Sequence, residues 1–248
     1  MAGVSLVRDV WLARVGSRDR ARLTSDRSYQ GLSWHPNGTS LLVSRPPGEL
    51  YTLNTDARSG AVPIPGLLAS VQDARWAPDG ARILFANQGG QGNDLLAITP
   101  GPSARLDTLV ATGAGERNPS VSPDGRWLLY QARAGASADV QVRAYTSTRG
   151  ALYQVSNAGG ASPRWSRDGR EIFYRGRGDS LVAVPVLPGP TFSLGAERAL
   201  FSLQGVTSWD VGPDSQRFLL VRARDVNSSE RLIVVENFHE ELKARMKP

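Results

Sequence analysis

The sequence contains no cysteine, only two histidines and only two lysines. The absence of cysteine excludes disulfides, thiolate nucleophiles and cysteine-based zinc sites. No apolar run reaches the roughly 18 residues of a membrane span, and residues 1–12 lack the basic and apolar segments of a signal peptide. We therefore expect any export signal or membrane anchor to be specified outside these residues.

Catalytic motifs are also missing from the sequence. A nucleophile elbow needs Gly-x-Ser-x-Gly, and residues 31–35 lack the second glycine. There is no phosphate-binding Gly-x-x-x-x-Gly-Lys loop and no protein kinase signature. His35 lies in a predicted turn and His239 near the C-terminus. We therefore expect no catalytic residues, no metal site and no cofactor in this chain.

The charge is strongly positive, with a formal value of +6 and a pI of about 10.1. Such a balance can indicate nucleic acid binding. However, 27 of the 29 basic residues are arginines, and most are scattered singly along the chain. The densest group is Arg14, Arg18, Arg20 and Arg22, which we interpret as a solvated surface. Nucleic acid is therefore the partner class that the sequence favours least.

One short motif recurs five times along the chain. Its pattern is an apolar or aromatic residue, a variable residue, and then Pro-Asp-Gly or a close variant. The copies end at Gly38, Gly80, Gly125, Gly169 and Ser215, so the steps between them are 42, 45, 44 and 46 residues. Proline, aspartate and glycine are favoured in tight turns. A period in the mid-forties with strand-like content predicts an all-β protein, a β-propeller of four-stranded blades.

The residues after each turn predict a buried strand. The third to fifth positions after the turn are apolar in all five copies, as in residues 41–43 and 172–174. A strand that is apolar on both faces is buried on both faces. Together with the strand before each turn, this pattern predicts five inner hairpins, near residues 31–45, 73–87, 118–131, 162–175 and 207–221. Weaker strand signals follow the hairpins and complete four strands per period. The tryptophans of the motif, Trp34, Trp76 and Trp165, are predicted to pack between blades.

The two ends of the chain predict parts of a further blade. Residues 1–26 resemble the outer strands of a blade whose inner pair would precede Met1, and Arg231–Val235 predicts a third strand after the last hairpin. Two arrangements fit: a partial sixth blade that closes the ring, or the C-terminal portion of a longer propeller. We favour a single domain over residues 1–248 with about six blade positions and an incomplete closing blade. Good helix formers across residues 237–247 predict a short terminal helix.

These motifs resemble a known repeat. The Trp-x-Pro-Asp-Gly hairpin, an Asp-Val-Trp-Leu strand at residues 9–12 and the Arg-Leu-Thr segment at residues 22–24 are similar to the TolB-type propeller repeat. The resemblance spans nearly the whole chain. The segment 232–243 is similar to the end of many bacterial serine/threonine protein kinases that carry a C-terminal propeller.

This resemblance implies a propeller fold and leaves several settings open. TolB-type repeats occur in the periplasmic TolB protein, in the non-catalytic propeller of prolyl oligopeptidase relatives, and in the sensor-like C-terminal regions of bacterial kinases. We therefore expect a monomeric, non-catalytic interaction or sensing propeller from a larger bacterial protein, with an extracytoplasmic location such as the periplasm favoured by the resemblance. The alternative is the propeller portion of a kinase or peptidase whose catalytic domain lies outside this chain.

The candidate binding surface follows from propeller geometry. Residues just before each inner strand converge with neighbouring loops on one face around the axis. The mixture of charges, amides and aromatics at these positions suits a protein or peptide partner, for which arginine and aromatic anchors often dominate binding. The predicted binding residues are Tyr29, Gln30, Gln72, Asp73, Arg117, Asn118, Ser208 and Trp209, with Glu116 and Ser162 on the same face.

Overall fold

Antiparallel strands succeed one another along the chain and build six sheets in sequence order. The computed structural model describes residues 9–14, 16–17, 19–56, 59–66, 70–88, 92–146, 150–189, 191–222 and, for the backbone, 231–235. Within these residues the secondary structure is strands, apart from one turn of 3₁₀ helix at Arg177–Asp179. The predicted helix over residues 237–247 lies outside the described part of the chain.

The first sheets run from the N-terminal pair to the third four-stranded sheet. Their strands are β1 (Trp11–Ala13), β2 (Arg20–Arg22), β3 (Gln30–Trp34), β4 (Ser40–Arg45), β5 (Glu49–Asn54), β6 (Val62–Pro63), β7 (Val71–Trp76), β8 (Ile83–Gln88), β9 (Asn93–Thr99), β10 (Arg105–Val110), β11 (Arg117–Val121), β12 (Trp127–Ala134), β13 (Ser137–Ala144) and β14 (Leu152–Gln154).

The last two sheets follow the same strand order. Their strands are β15 (Ala161–Trp165), β16 (Glu171–Arg175), β17 (Ser180–Leu187), β18 (Ser193–Leu194), β19 (Arg198–Ser202), β20 (Val206–Val211), β21 (Phe218–Arg222) and β22 (Arg231–Val235). Both β18 and β19 pair with β17, which gives that sheet five strands, and β20–β22 form a three-stranded sheet.

The sheets are arranged as the blades of an all-β propeller. The innermost strands β3, β7, β11, β15 and β20 contact one another in succession. The apolar clusters lie between sheets: one joins Leu84 and Leu95 to Leu128 and Tyr130 of the following sheet. Each central strand packs against a neighbouring sheet on both faces. Ile83, Leu84 and Phe85, which are consecutive in β8, are therefore all fully buried. The prediction of a β-propeller is confirmed.

The aspartates of the repeated motif stabilise the hairpin turns. Asp79, Asp124, Asp168 and Asp214 each accept a hydrogen bond from the backbone N–H two residues further on, over 2.9–3.1 Å. Such a bond satisfies a turn donor and fixes the corner. Among the described residues no group of three or more His, Asp or Glu side chains is arranged to hold a metal ion. Likewise, no helix in that part of the chain is long and apolar enough to cross a membrane.

Candidate binding site at the channel mouth

A cavity of about 820 Å³ opens at one end of the propeller channel. We call it the mouth cavity. Each of the five inner strands contributes to its lining. The lining residues whose side chains carry a polar group include Gln30, Gln72, Asp73, Arg75, Arg117, Asn118, Ser162, Arg164, Arg175, Ser208 and Trp209.

A repeated backbone irregularity places these side chains at the mouth. The register between the first and second strands of each blade shifts at Gly31, Asp73, Asn118, Ser162 and between Val206 and Ser208. The first four of these residues have left-handed φ values of 63°, 54°, 53° and 52°. A β-bulge of this kind bends a strand and redirects a side chain, and glycine, aspartate and asparagine tolerate its left-handed residue best.

Hydrogen bonds from the bulge residues join neighbouring blades around the mouth. Asp73 Oδ2 accepts from Arg117 Nε at 2.7 Å and from the backbone N–H of Asn118 at 3.3 Å. In the next blade, Gln131 Oε1 accepts from the backbone N–H of Ser162 at 3.1 Å. Polar bridges therefore connect three successive blades at the rim of the mouth cavity.

The charge of the mouth cavity is strongly positive. Four arginines line it, Arg75, Arg117, Arg164 and Arg175, together with one carboxylate, Asp73. Arg117 is paired with Asp73, and Arg175 lies 3.0 Å from Asp179. The two remaining arginines have weaker partners. Arg164 reaches Asp210 only at 3.8 Å, and Arg75 has no ion pair among the described residues.

Burial disfavours the charged form of Arg164. Its side chain is 13% exposed, and its guanidinium lies 5.6 Å from the ring centre of Trp209. Burial, reinforced by the positive charge of Arg75, lowers the pKa of Arg164 to about 9, so the group still carries its charge at neutral pH. The Nε atoms of Arg75 and Arg164 are both buried without a hydrogen-bond acceptor.

A second cavity of about 930 Å³ adjoins the first and shares Arg75, Arg164 and Trp209 with it. We call it the side cavity. Its lining comes from all five inner strands and also includes Leu219 and Val221 of β21, so it continues the channel and reaches between the first inner hairpin and the last. The lining of the side cavity is more apolar than the lining of the mouth cavity because of such side chains.

The structure brings most of the predicted residues together. Gln30, Gln72, Asp73, Arg117, Asn118, Ser208 and Trp209 all line the mouth cavity, as does Ser162. Trp209 is only 4% exposed, since most of its indole packs in an apolar cluster with Phe173 and Leu220. A binding role for these residues stays a prediction.

Two residues of the predicted face lie elsewhere. Tyr29 is 7% exposed in an apolar cluster with Val43 and Leu53, where its hydroxyl accepts from Arg45, and it borders the side cavity instead. Glu116 is fully buried and accepts a hydrogen bond from the hydroxyl of Thr112. Both positions precede the bulge of their strand, where the chain still points into the blade.

The sequence interpretation missed Arg75 and Arg164. Both directly precede the motif tryptophan, at Trp76 and Trp165, and the other copies have Ser33, Ser120 and Asp210 at this position. The signal that identifies them is a charged residue that has an apolar residue on each side within a predicted strand. The alternation of a strand predicts that this side chain points away from the blade core and into the channel.

Comparison with known proteins gives the fold. No protein-family model matches the sequence, and a search of curated proteins finds no match. Among solved structures, a protein assigned as TolB from Agrobacterium tumefaciens matches with a TM-score of 0.72 and 17% identity, over 94% of this chain and 86% of that one. TolB from Acinetobacter baumannii matches with a TM-score of 0.71 and 14% identity, over 93% of this chain and 57% of that one.

The chain shares the fold of TolB-like β-propellers. A propeller of another kind also matches: the Cps50 (Swd1) β-propeller domain of Myceliophteria thermophila has a TM-score of 0.59 and 14% identity, over 89% of this chain and 76% of that one. The chain thus spans little more than half the length of the Acinetobacter TolB. At these identities the likeness concerns the fold.

Proposed function

We propose that this chain is a non-catalytic propeller that binds a peptide or protein segment at the mouth cavity. The observation that supports this function is the polar rim, to which every inner strand contributes and on which backbone bulges place amide, carboxylate and guanidinium groups around one opening. The volume of about 820 Å³ lies within the range of about 300–1,000 Å³ for ligand sites. Arginine and tryptophan, both present here, are frequent anchors of protein interfaces.

The test is a selection of peptides from a random display library against the purified protein, followed by calorimetric titration of the selected peptides. Arg117→Ala should weaken binding by about tenfold or more, because Arg117 lies at the rim with 41% of its side chain exposed. Arg170→Ala is the matched control, since that arginine is 85% exposed on a hairpin turn and does not line the cavity. Selected peptides that bind both variants equally, or a selection that yields no binder, would contradict the proposed site.

We also propose that the ring has six blade positions, with β1 and β2 as the outer pair of the sixth. The side cavity supports this arrangement, because part of its lining comes from both β3 and β21, between which the inner hairpin of that blade would stand. Trp76 and Trp165 each contact the preceding blade, and Trp34, which faces the side cavity, is 47% exposed.

A second candidate function is the propeller portion of a bacterial kinase or peptidase. It is supported by the resemblance of residues 232–243 to the ends of propeller-bearing kinases and by the incomplete sixth position. Sequencing the genomic DNA upstream of Met1 tests it. An open reading frame with kinase or peptidase motifs would favour this candidate, and an isolated export signal would favour a periplasmic, TolB-like role.

A further inference from the structure

Arg75 and Arg164 place two positive charges together inside the channel. Each lines both the mouth cavity and the side cavity, so the pair lies where the two cavities adjoin. They occupy the same position of the repeat, two blades apart, and their strands β7 and β15 flank β11. The arrangement is built by the scaffold, because both arginines are on inner strands rather than on loops.

The charge of this pair is only partly balanced by the described residues: Asp210, at 3.8 Å, and Asp73 attract Arg164. Arg75 makes no ion pair there, and Arg164 donates to the carbonyl of its neighbour Pro163 at 2.8 Å while Asp210 stays at 3.8 Å. Buried charges are normally paired and hydrogen-bonded, because an unpaired one loses hydration without a substitute. The buried Nε donors of the two arginines, which have no acceptor among the described residues, therefore suit an anionic ligand.

A carboxylate fits the donors of Arg75 and Arg164. Guanidinium groups bind carboxylates with charge-assisted and often bidentate hydrogen bonds. The mouth cavity that leads to the pair carries four arginines against one aspartate, so its potential favours an incoming negative group. Trp209, beside Arg164, offers an apolar surface for the chain that carries that group.

We propose that Arg75 and Arg164 bind an aspartate or glutamate side chain of an acidic peptide segment that enters through the mouth cavity. This inference rests on the proposed function and gives the partner its chemistry. The other arginines of the cavity, Arg117 and Arg175, already have carboxylate partners in Asp73 and Asp179, so they would contact the peptide at the rim.

The experiment compares two capped peptides by calorimetric titration at about 50 mM NaCl, where screening is weak. One is acetyl-Gly-Asp-Glu-Gly-amide, and the other is its neutral counterpart acetyl-Gly-Asn-Gln-Gly-amide. Capping removes the terminal charges, so the peptides differ only in their side-chain carboxylates. We expect the acidic peptide to bind at least about tenfold more tightly.

The variants Arg75→Gln and Arg164→Gln should each remove that tenfold preference, and Arg170→Gln should keep it. Both channel variants are expected to fold, since glutamine keeps a polar side chain at each position, and an unchanged or raised melting temperature checks this. Inorganic phosphate serves as a competitor, and it should displace the acidic peptide from the wild-type protein. Equal binding of the two peptides, or a preference that survives in both channel variants, overturns the proposal.

The outcomes separate this inference from the proposed function. Library peptides that bind at the mouth but are neutral would leave the binding function in place and overturn the acidic partner. Binding of phosphate without binding of the acidic peptide would likewise overturn it, because the pair would then accept a free anion only.

Discussion

Glu116 is a buried carboxyl group whose environment opposes ionisation. Its side chain is fully buried at the start of β11, and its Oε2 atom has no hydrogen-bond donor among the described residues. Burial is the main cause that raises the pKa of Glu116, and the hydrogen bond from Thr112 only partly opposes it. Between the ordinary glutamate pKa and this raised value, the folded state holds a proton that the unfolded state has released.

Replacement of Glu116 by glutamine should therefore change how stability depends on pH. In the wild type the contribution of Glu116 to stability falls as the pH rises from the ordinary glutamate pKa through the raised folded value. Glu116→Gln should be more stable than the wild type at pH 7, and the difference should vanish near pH 3–4. Urea unfolding at several pH values measures this. A variant that is less stable than the wild type at pH 7 would show that the folded state stabilises the ionised carboxylate of Glu116.

Asp168 should have the opposite dependence. The hydroxyl of Ser166 donates to it at 2.7 Å, and this bond, with that from the N–H of Arg170, lowers the pKa of Asp168 despite partial burial. Its stabilising contribution is present above the unfolded pKa near 3.9 and is lost as the pH falls through the lowered folded value.

We expect Asp168→Ala to cost about 1 kcal/mol at pH 7, the usual value of such hydrogen bonds, and little near pH 2. Asp168→Asn keeps an acceptor oxygen and should lose less, without the pH dependence. Chemical unfolding of both variants is the measurement, and a cost for alanine that is the same at both pH values would contradict the assignment.

At this scale the sequence predicted the turn residues well and the mouth residues incompletely. The aspartates of the motif act in turns because their chemistry is local. The bulges at Asp73, Asn118 and Ser162 depend on how two strands pair, so composition alone did not reveal them. The burial of Tyr29 and Trp209 depends on the neighbouring blade and was equally hidden.

The tryptophans of the inner strands differ according to what lies on the side of the preceding blade. Trp165 is 8% exposed, and its Nε1–H donates to the carbonyl of Ser120 in that blade at 3.3 Å. Trp34 occupies the same position of the repeat but is 47% exposed. Tryptophan at the same position of the repeat is thus buried in one blade and half-exposed in another.

This pair gives a matched prediction. Trp165→Ala should cost about 3–5 kcal/mol in the free energy of unfolding, the range for a large buried aromatic. Trp34→Ala should cost less than about 1 kcal/mol, because about half of that side chain is already in contact with solvent. Urea unfolding of both variants measures the difference. A loss of stability in Trp34→Ala as large as that in Trp165→Ala would mean that other residues pack against Trp34 from the preceding blade position.

The strands themselves were largely predictable from the sequence. Apolar residues on both faces of residues 83–85 and 172–174 predict central strands, and these residues lie in β8 and β16. The additional strand β18 was not predicted, because two residues are too few to produce a periodic pattern.

The side cavity reaches between β3 and β21, which belong to the first and last inner hairpins. β11 lies between β7 and β15, and β3 contacts β7 on one side and borders the cavity on the other. Local opening costs less where fewer neighbours must separate. Backbone amides of β3 should therefore exchange with deuterium faster than those of β11.

Native-state hydrogen exchange resolved by mass spectrometry or NMR measures this difference. Peptides that cover residues 30–34 and 117–121 are the ones to compare. Equal protection of the two strands would contradict the proposed sixth blade position.

The number of blade positions is the property that the sequence predicts least well. A repeat specifies how each sheet packs on the next one, and ring closure depends on the sum of all inter-blade angles. Local patterns do not contain that sum. The blade architecture therefore followed from five copies of one motif, and the closing region depends on contacts between residues far apart in the chain.

The left-handed residues of the inner strands have a consequence for how recognition could diversify. Four of the five inner strands place one such residue at the opening, and the strands behind it are buried between the blades. Exchange among glycine, asparagine, aspartate and serine at these points alters the chemistry of the entrance while the cores between blades stay unchanged. A single scaffold of this type can thus acquire new ligands by one substitution per blade.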